Sequence, residues 1–164
     1  MNSRLPLALV AAVFITAAAT PASAQVFTLT ATLTGEGEAT QTANGINTGA
    51  FGDATVTVDV GARTVSYNVR VFNLPSGVTG SHIHVGPVRT AGPILINFAP
   101  PVTASNDFGF SGVAREAEII LRPEQGIRSA EDAIQAILGG NSYVNVHSTV
   151  NPGGEIRGQL ALRP

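Results

Sequence analysis

All three histidines of this chain fall in two short segments, Ser81-His82-Ile83-His84-Val85-Gly86-Pro87 and Tyr143-Val144-Asn145-Val146-His147-Ser148. Neutral imidazole is a ligand for copper, zinc or nickel. In an extended strand His82 and His84 share one face with side chains roughly 6–7 Å apart, near enough to serve one ion. Alternation puts Ile83 and Val85 on the opposite, core-facing side. The same reasoning sets Tyr143, Asn145 and His147 against an inward Val144 and Val146. It also sets Glu155, Arg157 and Gln159 against an inward Ile156, Gly158, Leu160 and Leu162. Three strands therefore turn their polar side chains to the outer face. His82, His84 and His147 form a candidate metal set there, with Tyr143, Asn145, Glu155 and Arg157 beside it. The plainer reading of these residues is a solvated strand face, or polar groups hydrogen-bonded to a covering loop. Glu155 and Arg157 would then be a surface ion pair worth under about 1 kcal/mol.

Other chemistries find little support. Cysteine is absent, which excludes disulfides, a thiolate nucleophile and Cys-based zinc or iron–sulfur sites. There is no Gly-x-Ser-x-Gly elbow. The chain has no lysine, so its glycine-rich stretches cannot be P-loops. The acid pairs Glu36/Glu38 and Glu116/Glu118 lie beside loops and read as solvated rather than as a glycosidase-type pair.

The elements that must position the histidines read as strands. Val26 to Thr34 alternates strictly, with Phe27, Leu29, Ala31 and Leu33 on one face and threonines on the other. Ala54 to Val60 and Arg63 to Phe72 form a hairpin turned at Gly61-Ala62. Gly35 to Gly49 is a long loop, tightest at Asn44-Gly45. Asn73 to Gly80 is a connection. Strands follow at Ser81 to Val85, Ile94 to Phe98, Phe108 to Ala114, Tyr143 to Ser148 and Glu155 to Leu162. The last two are joined at Asn151-Pro152-Gly153-Gly154, and Glu118 to Leu121 extends the sheet. One segment breaks the pattern. Ser129 with Asp132 forms a capping box, Ala133, Ile134, Ile137 and Leu138 recur at helical spacing, and Gly139-Gly140 stops the run, so a short helix is expected over 129–138. Seven or eight short strands at intervals of about ten residues indicate an all-β, antiparallel Greek-key sandwich or barrel, immunoglobulin-like or superoxide-dismutase-like.

Residues 1–24 read as a secretory signal peptide. Arg4 supplies the positive start, Leu5 to Ala19 the apolar stretch and Ala22-Ser23-Ala24 the cleavage site. The apolar stretch is short of the roughly 20 residues that a bilayer span needs. One domain over 25–164 is expected, exported to the periplasm or beyond, with no membrane span of its own. Nine arginines face eleven acids, so the chain offers no basic face for nucleic acid.

The run His82-Ile83-His84-Val85-Gly86-Pro87, then Gly92-Pro93, then Gly139-Gly140-Asn141-Ser142-Tyr143-Val144-Asn145-Val146-His147-Ser148 and Pro152-Gly153-Gly154-Glu155-Ile156-Arg157-Gly158-Gln159-Leu160 resembles the CHRD domain, the module repeated in chordin. The resemblance covers Phe27 to Leu162. It implies a secreted β-sandwich module with no established enzymatic activity and no required cofactor, working through an extracellular protein or other ligand. A weaker resemblance, to the copper/zinc superoxide dismutase barrel, likens His82, His84 and His147 to three copper ligands and Arg157 to the active-site arginine. Where that family's bridging histidine would follow Gly92-Pro93, this chain has Ile94. The resemblance thus implies one copper or zinc ion rather than a dinuclear site. Two readings stand at this point: a non-enzymatic binding or structural module, and a mononuclear copper/zinc protein. They part on whether the three imidazoles meet.

Overall fold

The computed structural model describes residues 25–39, 45–103 and 105–163. The expected signal peptide, residues 1–24, and Asn44 of the expected Asn44-Gly45 turn lie outside the described residues. The chain forms strands β1 (Val26–Thr34), β2 (Phe51–Asp59), β3 (Thr64–Phe72), β4 (Val78–Val85), β5 (Ile94–Asn97), β6 (Phe108–Ala114), β7 (Ser142–Ser148), β8 (Ile156–Gln159) and β9 (Ala161–Leu162). One helix, α1 (Ala130–Leu138), precedes β7.

The strands make one sheet in the order β5-β4-β7-β8-β1-β2-β3-β6, with β9 also paired to β1. Every pairing is antiparallel. After the β1-β2-β3 meander the chain crosses to the far edge for β4 and β5. It returns to β3 with β6 and crosses again to place β7 beside β4, which is Greek-key connectivity. The sheet curls until its two edges approach. Ile120 N–H donates to Leu95 O of the β5 edge at 2.8 Å. Tyr67 stacks on Phe98 at 3.9 Å and meets the edge of Phe110, so aromatic rings close the seam beside β6. The all-β barrel expectation holds. Gly112 of β6 faces Tyr67 in register, and a Cβ there would run into the phenol oxygen.

Alternation predicts the core well. Leu29, Leu33, Val56, Val58, Ile83, Val144 and Ile156 are fully buried inside the barrel. Ala133, Ile134 and Ile137 of α1 join them. Ser129 caps the helix by accepting a hydrogen bond from Asp132 N–H, while the Asp132 carboxylate accepts one from Arg128 N–H.

Several boundaries differ from expectation, among them the start of β2, at Phe51 rather than Ala54. β4 starts at Val78, inside the expected connection, because a register shift against β7 between Val78 and Gly80 lets a glycine-interrupted segment pair. The Glu118 to Leu121 extension is not a strand. Glu116–Glu118 is a 3-10 turn in which the Glu118 carboxylate accepts from Arg115 N–H. The final strand is broken at Leu160, whose N–H donates to Ser142 O while its side chain is buried. The residues beyond it then pair with β1 alone as β9.

Ile134→Ala should cost about 2–5 kcal/mol because it opens a cavity in a packed interior. Ser129→Ala should cost only about 1 kcal/mol, the value of a cap. Urea unfolding of both variants checks this ranking, and equal losses would contradict the core position of α1.

Candidate functional site

Strand register assembles the predicted residues. β4 pairs with β7 so that His82 stands opposite Asn145, His84 opposite Tyr143 and Gly80 opposite His147. β7 pairs with β8 so that Asn145 stands opposite Arg157 and Tyr143 opposite Gln159. The two edge-distant histidine segments therefore become adjacent rows of one sheet face.

The imidazoles meet. One ligand nitrogen from each of His82, His84 and His147 lies within 4.8 Å of the other two. His82 Nδ1 is 3.1 Å from His147 Nε2. His84 Nδ1 donates to Gly92 O at 2.8 Å, and His147 Nδ1 donates to Pro152 O at 2.9 Å. These carbonyls fix both rings with Nε2 as the acceptor nitrogen, unpaired in His84 and facing His82 Nδ1 in His147, the arrangement that outer hydrogen bonds give to metal-ligating histidines. His84 Nε2 is buried and has no hydrogen-bond partner. An orphaned buried acceptor carries a desolvation cost that an ion would relieve. A metal about 2.0–2.1 Å from each nitrogen requires the widest pair to draw in. His82 is half-buried and is not one of the two carbonyl-held rings, so its rotation would supply that movement.

The expected open outer face needs correction. Alternation gave the direction of these side chains, but not their cover. Tyr143, Asn145, Glu155 and Arg157 are each 3 % exposed or less, and His84 is 9 % exposed. The loop over residues 86–92 lies across His84, Tyr143 and Arg157 and is held by hydrogen bonds to them and to Gln159. Arg157 donates to Pro87 O at 2.8 Å and Thr90 O at 3.0 Å, and Gln159 donates to Gly86 O at 2.9 Å. Gly92 N–H donates to the Tyr143 hydroxyl at 3.0 Å. Gly92 must lack a side chain, since a Cβ would collide with Val85 O. The Arg157 guanidinium also lies 3.3 Å above the Tyr143 ring, whose other contact is a parallel stack on His84 at 4.8 Å. Arg157, which alternation had placed on an outer face, is thus a buried clamp on this loop.

Glu155 does not pair with Arg157. Its carboxylate accepts from Ser148 at 2.6 Å, Asn151 at 2.7 Å and the Thr48 hydroxyl. Burial acts to raise its pKa, but these three donors together hold it below the usual carboxylate range. Glu38, expected to be solvated, is buried and accepts from Asn145 Nδ2 at 2.6 Å. Burial pushes its pKa up to about 7, against the opposing pull of Arg157 and Asn145. Gly154, at φ 138°, lets the chain pass this pair, because a Cβ would strike Glu38 Oε2 and Asn145 Nδ2. Glu38 and Gly92 were the members that sequence reasoning missed. Neither lies in a regular strand, so period-two alternation says nothing about them.

Burial, and then mutual repulsion, pushes His82 down to about 4, and burial pushes His84 down to about 4 and lowers His147. The cluster is accordingly neutral at neutral pH and free to ligate.

These shifts have opposite signs for stability. The histidines have lowered folded pKa values, so their contribution falls as pH drops from about 6.5 to about 4. Glu38 has a raised one, so its contribution is full below about 4.5 and is lost as pH climbs through about 7. Relative to wild type, Glu38→Gln should therefore gain stability between pH 4.5 and pH 8, on the order of 2–3 kcal/mol. Urea unfolding at the two pH values measures this, and a pH-independent difference would show that Glu38 titrates normally.

Among curated proteins no match to the chain is found. A family model described as the CHRD domain matches residues 29–160.

Proposed function

The chain belongs to the CHRD domain family, and from that premise we propose that it is an exported, non-enzymatic binding module whose ligand is a single copper or zinc ion. The observation that carries the reading is the convergence of three imidazole nitrogens, two of them oriented by backbone carbonyls and one buried without a partner. His82 would contribute Nδ1, and His84 and His147 would contribute Nε2. The ion supplies Lewis acidity and, for copper, one-electron chemistry. The chain's own residues do the rest. Gly92 O and Pro152 O hold the ring tautomers, the clamped 86–92 loop limits water at His84, and the His82 proton moves from Nδ1 to Nε2 on binding. Binding should therefore release no net proton at neutral pH and weaken as pH falls toward about 4, where His82 and His84 protonate. Ile94 at the position likened to a bridging histidine supports one ion rather than two. Among the described residues, the three histidines are the group placed to hold a metal.

The leader-like residues 1–24 support export. No helix among the described residues is long and apolar enough to cross a membrane.

Dialysis of purified mature protein against copper or zinc, followed by elemental analysis, should give one ion per chain. His84→Ala and His147→Ala should each lose it. In wild type, a metal concentration about 100-fold above Kd should add ~2.7 kcal/mol to stability, read as a rise in Tm that both variants lack. Equal metal content and equal Tm shifts in wild type and variants would sink the proposal.

A further inference from the structure

The donor set has two unusual properties. First, it is neutral and three-membered: among the described residues no carboxylate or fourth histidine joins the three imidazoles. Zinc or cupric ion held by three imidazoles needs a further ligand, such as water, to complete its shell. A monovalent copper ion is satisfied by three neutral nitrogens. Second, the charged group stacked on the cluster is a cation. The Arg157 guanidinium lies 3.3 Å over one face of Tyr143, and the other contact of that ring is His84, parallel within 4° at 4.8 Å. Arg157 is 2 % exposed, and its guanidinium is held by Pro87 O and Thr90 O. Its charge is therefore fixed in position and poorly screened. Glu38 acts on Arg157 as a counter-charge, but only a partial one, since it is bonded to Asn145 and burial brings its pKa up to about 7. Glu155 keeps its negative charge, but its carboxylate is taken up by its own three donors, on Ser148, Asn151 and Thr48, and does not pair with Arg157.

Resting on the three-histidine reading above, we propose that the site takes copper as the cuprous ion in preference to cupric ion and zinc, and that Arg157, acting through the stacked Tyr143, sets this preference. The reason is electrostatic. A fixed positive charge at this range repels a divalent ion about twice as strongly as a monovalent one. In a partly buried site that difference is on the order of a tenfold change in relative affinity. The same guanidinium also orients the His84 ring through the stack, so Arg157 is a positioning and tuning residue rather than a ligand.

The test separates charge from packing. Competition titrations of the purified mature chain with a chromogenic cuprous chelator under ascorbate, and with cupric and zinc chelators in its absence, give the three affinities. The cuprous-to-cupric ratio gives the reduction potential. Wild type should bind cuprous ion more tightly than the other two, with a potential above that of the aqueous copper couple. Arg157→Gln should lower the cuprous-to-cupric ratio on the order of tenfold, while Arg157→Lys, which keeps the charge and loses the planar stack, should hold it near wild type. An unchanged ratio in Arg157→Gln, or the same fall in both variants, would overturn the electrostatic role. If Arg157→Gln does not fold, a wild-type potential at or below the aqueous couple overturns the proposal by itself. Binding of zinc or cupric ion in preference to cuprous ion also overturns it, yet leaves the three-histidine site standing. Failure to bind any of the three metals removes both.

Discussion

The structure depends on a layer of polar side chains that is buried outside the barrel's apolar core. Tyr143, Asn145, Glu155 and Arg157 face away from that core and yet are withdrawn from water. Burying such groups without partners costs several kcal/mol each, so the layer persists only where nearly every donor and acceptor is met. Backbone carbonyls meet most of the donors. Gly86, Pro87, Thr90 and Gly92 accept from Gln159, Arg157 and His84, and Pro152 accepts from His147. This obligation ties two loops without secondary structure to the sheet as firmly as strand pairing would.

The glycines follow from the same constraint. Where a loop backbone approaches polar side chains this closely, a Cβ has no room, as at Gly92 against Val85 and at Gly154 between Glu38 and Asn145. The Gly-Pro, Gly-Gly-Glu and Gly-Gln runs that make the sequence recognisable are thus parts of one packing solution. Gly92 joins the two halves of the site, since its N–H meets the Tyr143 hydroxyl while its carbonyl meets His84. A network in which one residue serves two partners is rigid, and its bonds reinforce one another.

Much of this was legible in the sequence, because strict alternation is a strong signal where one sheet face is apolar. Val26 to Thr34 and Phe108 to Ala114 match their strands residue for residue, and Ser129 caps the helix as its spacing implied. The direction of His82, His84 and His147 was legible for the same reason. Their cover was not. Alternation distinguishes core from not-core, and it cannot tell water from a loop that arrives from elsewhere in the chain. Glu38 shows the limit well: flanked by glycine and alanine beside a loop, it reads as solvated, and only the return of β7 and β8 beside β1 buries it against Asn145. The bulge near Gly80 was hidden because Thr79 and Gly80 carry no apolar alternation from which a change of phase could be read.

The place of β1 between β8 and β2 bears on the order in which the molecule is assembled. The first strand cannot acquire its second neighbour until nearly the whole chain has been made, and β7 likewise needs β4 from some sixty residues earlier. Contacts so distant in sequence form late and slowly, because loop closure must be met before they return any energy. The three imidazoles are thus strangers on the growing chain, and a partial product that stops short of β7 cannot present the complete cluster.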